Sequence, residues 1–238
     1  MNKDTRTLFL SHRGESDDAP ENTLEAFQLA LEWDSDGIEL DLRLTADKKL
    51  VCFHDADMIR VANAALKIAE HTYDELCKYH DIPLFAEALA VLGKDKHMQI
   101  ELKGSPDLLP FVRDVLDTFP GRERFAISSF ETETIRMAAD FFPNLPRVLL
   151  IDLQQVFNSF PDAAEVIEFL KPLKCGISFK ADFKATPEFV SALHRAGLRV
   201  VCWGVSSDEL GLAMARAGVD AMTCNHAVAL RQKFLDLK

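Results

Sequence analysis

A chain of 238 residues, of which 48% are hydrophobic, has enough apolar sequence to build the core of one large α/β domain. Its formal net charge of -11 argues against nucleic acids and anionic membranes as partners, because both attract basic patches. No apolar run approaches the roughly 20 residues that span a bilayer, so we expect no stable membrane association.

The five cysteines form no Cys-x-x-Cys pair, and Cys52 and Cys202 lie inside apolar segments. An odd number of such residues is typical of reduced thiols in a protein core. The first six residues run directly into a short apolar segment, so a signal peptide is not expected. Together these features predict a cytoplasmic protein.

Eight short apolar segments alternate along the chain with longer amphipathic segments, which have apolar residues three and four positions apart. The predicted strands are residues 8–11, 37–42, 98–103, 125–129, 147–151, 175–179, 199–205 and 220–223. Strands that alternate with helices must pair in parallel. Eight such units predict a TIM-type (β/α)₈ barrel formed by a single domain over residues 1–238, with an open doubly wound sheet as the alternative.

One segment interrupts this alternation after the second predicted barrel strand, at about residues 45–85. A turn at 45–49 leads into an extra strand at 50–55, and an excursion continues to residue 85. An insertion between a strand and its helix projects from the carboxyl end of a barrel, which is where active sites lie.

The second and third barrel strands carry charged residues two positions apart. Glu39 and Asp41 lie in one strand, and Glu101 and Lys103 lie in the other. Since side chains alternate along a strand, each pair points to one face, toward the barrel interior. Buried carboxylates need a proton or a cation, and three oxygen donors suit Mg²⁺ or Ca²⁺, with Mn²⁺ also possible. Solvated charges at strand ends are the alternative.

Two histidines end strands, His12 after the first barrel strand and His54 after the extra strand. Because the unperturbed pKa of histidine lies near neutrality, such a pair can serve as general base and general acid beside a metal ion. No pattern directs the other histidines, at positions 71, 80, 97, 194 and 226, toward this site. Cys224 and His226 alone are too few ligands for zinc.

Several motifs occur together in order along nearly the whole chain. They are His-Arg-Gly (12–14), Pro-Glu-Asn-Thr (20–23), Gly-Ile-Glu-Leu-Asp (37–41), His-Asp (54–55), Glu-Leu-Lys (101–103), Ser-Ser-Phe (128–130) and Trp-Gly-Val (203–205). This set resembles the glycerophosphodiester phosphodiesterase family. The resemblance implies a barrel enzyme that hydrolyses glycerophosphodiesters to glycerol 3-phosphate and an alcohol.

The resemblance also implies roles for individual residues. They are Glu39, Asp41 and Glu101 as ligands of one divalent cation, His12 and His54 as the acid–base pair, and Arg13 and Lys103 as phosphate contacts. Trp203 is either a wall of the alcohol pocket or part of the barrel packing. From the residues alone, the hydroxyls of Ser128 and Ser129 either line the site or cap the following helix, and we favour the cap. The alcohol (choline, ethanolamine, glycerol or inositol) and the nucleophile (water or a substrate hydroxyl) stay open.

Two positions depart from the family pattern: Asn225 stands where an Asp is common, and Gly204 replaces a Thr-like residue. We expect both changes to affect the alcohol pocket and to leave the metal ligands intact. The competing functions are a sugar isomerase or enolase-like barrel, a phospholipase D-like hydrolase of lysophospholipids, and a non-catalytic binding module. The sequence makes no prediction of oligomeric state.

Overall fold

The computed structural model describes residues 7–93 and 95–237. Residues 1–6, which carry the expectation about a signal peptide, lie outside this part of the chain. The strands are β1 (Leu8–His12), β2 (Gly37–Leu44), β3 (Leu50–Cys52), β4 (Asp57–Met58), β5 (Ala64–Lys67), β6 (His97–Leu102), β7 (Phe125–Ser129), β8 (Arg147–Ile151), β9 (Gly176–Lys180), β10 (Val200–Trp203) and β11 (Ala221–Cys224).

Helices follow most of these strands. They are α1 (Leu24–Glu32), α2 (Ile59–Ala62), α3 (Tyr73–Leu76), α4 (Phe85–Leu92), α5 (Leu109–Asp117), α6 (Thr132–Phe141), α7 (Leu153–Phe157), α8 (Ala163–Leu170), α9 (Pro187–Arg195), α10 (Asp208–Ala217) and α11 (Ala227–Asp236). Short 3₁₀ helices occur at Ile68–Glu70, Pro106–Leu108, Arg122–Arg124 and Lys171–Leu173. Within residues 7–93 and 95–237, every helix is too short or too polar to cross a bilayer.

Eight parallel strands form a closed barrel. Their order is β1-β11-β10-β9-β8-β7-β6-β2, and pairing between β1 and β2 closes the ring. The predicted (β/α)₈ barrel is therefore confirmed, and the open doubly wound sheet is wrong. Two registers matter for the site: His12 lies beside Glu39, and Asp41 lies beside Glu101.

The inner and outer faces of the barrel differ in polarity. Large apolar clusters fill the space between the strands and the helices, and Ile38, Leu40 and Leu42 belong to one of them. The apolar cluster inside the barrel is small, with Leu10, Val148, Val201 and Ala221 as its fully or nearly fully buried members. Polar side chains on β2 and β6 continue this interior toward the carboxyl ends of the strands.

The predicted insertion is confirmed after the second barrel strand. Strand β3 pairs antiparallel with β2, and β4 and β5 form a separate two-stranded sheet. The insertion has its own apolar cluster, which includes Val51, Met58, Ile68 and Leu76. This packing holds the insertion at the carboxyl end of the barrel, next to the strand that carries Glu39 and Asp41.

Candidate active site

A cavity of about 580 Å³ opens at the carboxyl ends of the barrel strands. Seven of the eight residues predicted for the site line it: His12, Arg13, Glu39, His54, Glu101, Lys103 and Trp203. The eighth, Asp41, is fully buried and contacts Arg13 and Lys103. The structure thus brings all eight residues together, although they come from distant parts of the sequence.

The three predicted metal ligands form one cluster. Glu39, Asp41 and Glu101 each offer a carboxylate oxygen, and these oxygens lie within 4.8 Å of one another. The side-by-side register of Asp41 and Glu101 on β2 and β6 produces this proximity. All three residues are buried, so solvation at strand ends does not account for them.

Two cations neutralise part of this negative charge. Arg13 Nε lies 3.1 Å from Asp41 Oδ2, and Lys103 Nζ lies 3.1 Å from Asp41 Oδ1. Lys103 also forms an ion pair with Glu101. Three carboxylates and two cations leave one excess negative charge when all five groups are ionised, so the cluster favours an additional positive charge.

The pKa values of the carboxyl groups reflect this balance. Burial, and then the charge of Asp41, raise the pKa of Glu39 well above its ordinary value. The same two causes raise the pKa of Glu101 to about 7. Burial opposes ionisation of Asp41 as well, but Lys103 and Arg13 outweigh it and lower the pKa of that group. In the absence of a further cation, the cluster therefore holds protons near neutral pH.

The donor set fits a hard divalent cation. Asp41 Oδ1 and Glu101 Oε1 are buried, and the ammonium group of Lys103 contacts both of them. All donors in the cluster are oxygens, the ligand type that Mg²⁺ and Ca²⁺ prefer. Glu39, Asp41 and Glu101 are the residues that would hold the ion.

His12 ends β1 and is held by a chain of two hydrogen bonds. Its Nδ1 lies 2.8 Å from Asn225 Oδ1, and Asn225 Nδ2 donates to Asp17 Oδ1 at 3.1 Å. Because Asp17 accepts from the amide nitrogen, the amide oxygen faces His12, and His12 Nδ1 must carry the proton. The unprotonated Nε2 is then left on the side of Glu39, whose Oε2 lies 3.9 Å away. Burial lowers the pKa of His12, which favours this neutral form.

His54 lines the same cavity as His12 and has a charged partner. Its Nδ1 lies 2.6 Å from Asp55 Oδ1. Its carbonyl accepts hydrogen bonds from Arg43 Nε at 2.9 Å and Nη2 at 2.7 Å. Phe53 N donates to Asp41 O, which fixes the start of this segment against β2. Burial lowers the pKa of His54, while Asp41 and Asp55 act in the opposite direction.

An aromatic wall borders the cavity beside Lys103. The rings of Phe130 and Trp203 meet edge to face with centroids 5.3 Å apart, and Lys103 Nζ lies 5.6 Å from the Phe130 centroid. Trp203 Nε1 donates to Ser178 O at 3.1 Å. Trp203 therefore lines the cavity while its indole nitrogen is bonded to β9.

The two departures from the family pattern have different structural consequences. Asn225 contacts His12, as described above, and so lies closer to the predicted catalytic groups than we expected. Gly204 has a φ angle of +66°, a conformation that glycine adopts without strain. A Cβ at this position would lie 3.3 Å from Lys180 Cγ.

Sequence reasoning missed some residues of the site. Asn22 Nδ2 donates to Asp41 Oδ2 at 2.9 Å, and Asn22 Oδ1 accepts from Asp41 N at 3.2 Å. His226 also lines the cavity and pairs with Asp208, although no pattern directed it there. The predicted helix cap is wrong: Ser129 Oγ donates to Leu102 O and accepts from Glu131 N, while Glu131 is the N-cap of α6.

Comparisons with known proteins agree with the fold and the motifs. The sequence model of the glycerophosphoryl diester phosphodiesterase family matches residues 12–229. A glycerophosphodiester phosphodiesterase of Caldanaerobacter subterraneus subsp. tengcongensis is 30% identical over 234 residues, covering 91% of this chain and 93% of that protein.

Solved structures share the same architecture. A glycerophosphodiester phosphodiesterase of Thermotoga maritima is 24% identical, with a TM-score of 0.80 and 98% of each chain covered. An Oleispira antarctica phosphodiesterase, solved in complex with the product sn-glycerol-3-phosphate, is also 24% identical, with a TM-score of 0.81 and 96% of each chain covered. At this level of identity the two structures establish a common fold.

Proposed function

This chain belongs to the glycerophosphoryl diester phosphodiesterase family and is a phosphoric diester hydrolase, and we propose that it cleaves glycerophosphodiesters to glycerol 3-phosphate and an alcohol. One observation carries this proposal: three buried carboxylates lie within 4.8 Å of one another, beside a cavity that His12 and His54 line. The product bound to the Oleispira antarctica relative is consistent with this substrate class.

We infer that the cationic side chains bind the phosphate. A phosphodiester is anionic, and negative charge grows on its oxygens as the nucleophile attacks, so positive groups in a buried site stabilise the transition state. Arg13 and Lys103 both line the cavity and are each held by Asp41, which fixes their positions before substrate arrives. Glu39, Asp41 and Glu101 would hold a divalent cation, Mg²⁺ or Ca²⁺, which would supply Lewis acidity at this position.

The two histidines differ in their partners, and this difference suggests their roles. His12 donates to a neutral amide, so its Nε2 stays unprotonated, and the Glu39 carboxylate lies 3.9 Å from that nitrogen, beyond hydrogen-bond distance. We assign it as the general base. His54 is bonded to the carboxylate of Asp55, which stabilises a protonated ring. We assign it as the general acid that protonates the departing alkoxide.

The remaining expectations extend this proposal. We infer that the barrel and its insertion act as one domain, because the insertion supplies the segment that carries His54. We also propose a reducing, cytoplasmic environment, since Cys52, Cys77, Cys175, Cys202 and Cys224 are all unpaired and four of them are buried.

The proposal is tested by hydrolysis assays on glycerophosphocholine, glycerophosphoethanolamine, glycerophosphoglycerol and glycerophosphoinositol, with and without a chelator. We expect glycerol 3-phosphate from at least one substrate and its loss on chelation. Turnover of lysophospholipids without turnover of any of the four diesters would replace this function with a phospholipase D-like one.

A second experiment tests the assignment of the two histidines. Replacing either by alanine should reduce turnover by about 10²–10⁴-fold, the usual contribution of a positioned acid or base. With a p-nitrophenyl diester, whose leaving group needs no protonation, the His54→Ala defect should shrink while the His12→Ala defect persists. If His54→Ala lost as much turnover on the p-nitrophenyl diester as on the natural diesters, the assignment of His54 as the general acid would be contradicted.

A further inference from the structure

Arg60 belongs to the insertion, on the short helix α2, yet its side chain reaches two carboxylates in segments that border the cavity. Its Nε lies 2.6 Å from Asp55 Oδ2. Its Nη1 and Nη2 donate to Glu21 Oε2 and Oε1 at 3.0 and 2.5 Å. Asp55 follows β3, and Glu21 lies in the loop between β1 and α1. One guanidinium group therefore joins three parts of the chain.

Each of these carboxylates also holds a residue that lines the cavity. Asp55 uses its other oxygen to bind His54 Nδ1 at 2.6 Å. Glu21 Oε1 accepts a hydrogen bond from Arg13 Nη1 at 3.0 Å. The contacts form a continuous path from His54 through Asp55, Arg60 and Glu21 to Arg13.

We propose that Arg60 is a positioning residue, which holds Asp55 and Glu21 so that His54 and Arg13 keep the orientations that diester hydrolysis needs. This inference rests on the proposed function. A guanidinium suits the task because its planar array of donors binds one carboxylate through two nitrogens and another through the third. A lysine offers a compact charge without this fixed geometry, so it does not replace the arginine.

Because Arg60 is exposed, its ion pairs should contribute little to the stability of the fold, and a positioning role can be tested apart from stability. Half of its side chain (50%) is exposed, and 24% of each carboxylate partner is exposed. Ion pairs in such surroundings add little to stability, because solvent screens them and long side chains lose entropy when they are held in place. Loss of Arg60 should therefore reduce catalysis far more than it reduces folding.

The test compares Arg60→Ala and Arg60→Lys with Arg136→Ala as a matched control. Arg136 is similarly exposed (59%) and pairs with a carboxylate, Glu133, on α6. With glycerophosphocholine as substrate, we expect kcat to fall about 10–100-fold in both Arg60 variants, as for other groups that orient catalytic residues. The melting temperature should change by only a few degrees, KM should change less than kcat, and Arg136→Ala should match the parent.

Chemical rescue distinguishes a lost positioning group from general damage. Millimolar ethylguanidinium should restore part of the kcat of Arg60→Ala, and sodium chloride at equal ionic strength should not. Parental kcat in either Arg60 variant would overturn the proposal. It would also be overturned if both variants lost thermal stability in proportion to activity and ethylguanidinium restored nothing.

A readout without substrate keeps this inference separable from the proposed function. In metal-free protein labelled with ¹⁵N-histidine, Arg60→Ala should shift the ring nitrogen signals of His54, while Arg136→Ala should leave them in place. If the parent hydrolyses no diester but these signals shift, the proposed function fails and the positioning role stands. If the parent is active and the His54 signals are unchanged in Arg60→Ala, the positioning role fails alone.

Discussion

The charge of the buried carboxylates should lower the free energy of unfolding of the metal-free protein. The substitution Glu101→Gln should remove part of this loss. Burial and the neighbouring Asp41 raise the pKa of Glu101 from 4.5 to about 7. Glu101 resists ionisation in the folded state. The free energy of unfolding therefore falls as the pH rises from the pKa of Glu101 in the unfolded chain to its higher pKa in the folded protein. At about 1.36 kcal/mol per pH unit, the loss at alkaline pH is roughly 3 kcal/mol.

Glutamine keeps the size of Glu101 and cannot ionise, so the variant should escape this loss. At about pH 8.5 the metal-free variant should be more stable than the parent by up to roughly 3 kcal/mol, which raises its melting temperature by about 6–12 °C. At about pH 5 the difference should shrink below roughly 1 kcal/mol, because Glu101 is then protonated in the folded parent.

The assay is thermal unfolding of chelator-treated protein across this pH range, with Glu133→Gln as an exposed control. Adding Mg²⁺ or Ca²⁺ should narrow this difference, since an ion at a hundred times its Kd stabilises the parent by about 2.7 kcal/mol and the variant less. A variant that is no more stable than the parent at alkaline pH would refute the reasoning. It would mean that Lys103 fully compensates the buried charge.

Three further substitutions test other parts of the structure. Gly37→Ala places a Cβ 2.1 Å from His97 O, so the β2–β6 pairing must shift, and urea unfolding should show a loss of about 3 kcal/mol or more. Asn225→Ala should lower kcat by about 10-fold, as expected for a group that orients a catalytic histidine, with an unchanged melting temperature. Trp203→Phe removes the donor to Ser178 O and should lower the free energy of unfolding by about 1 kcal/mol.

The strand residues of the site were predictable because a strand fixes the direction of its side chains. Glu39 and Asp41 are two residues apart, as are Glu101 and Lys103, so each pair had to share a face. Parallel pairing then aligned the two strands, and Asp41 and Glu101 became neighbours. The cluster follows from local periodicity combined with the predicted fold class.

The site residues outside the strands were not predictable from pattern. Asn22 and Asn225 lie in loops, and Arg60 lies on the short helix α2, so no strand periodicity fixes the direction of these side chains. Their partners lie 19, 5 and 213 residues away along the chain, in Asp41, Asp55 and His12. Such contacts depend on how the loops close over the barrel, which requires the three-dimensional structure.

The central claim is that Glu39, Asp41 and Glu101 hold a cation that diester hydrolysis requires. The most direct test measures turnover and bound metal in the same sample. Metal-stripped protein is loaded stepwise with Mg²⁺ or Ca²⁺, and bound ion and glycerol 3-phosphate release are measured at each step. We predict that activity rises in proportion to bound ion and reaches its maximum at one ion per chain. Full turnover by the stripped protein, or a bound ion without any turnover, would contradict the account.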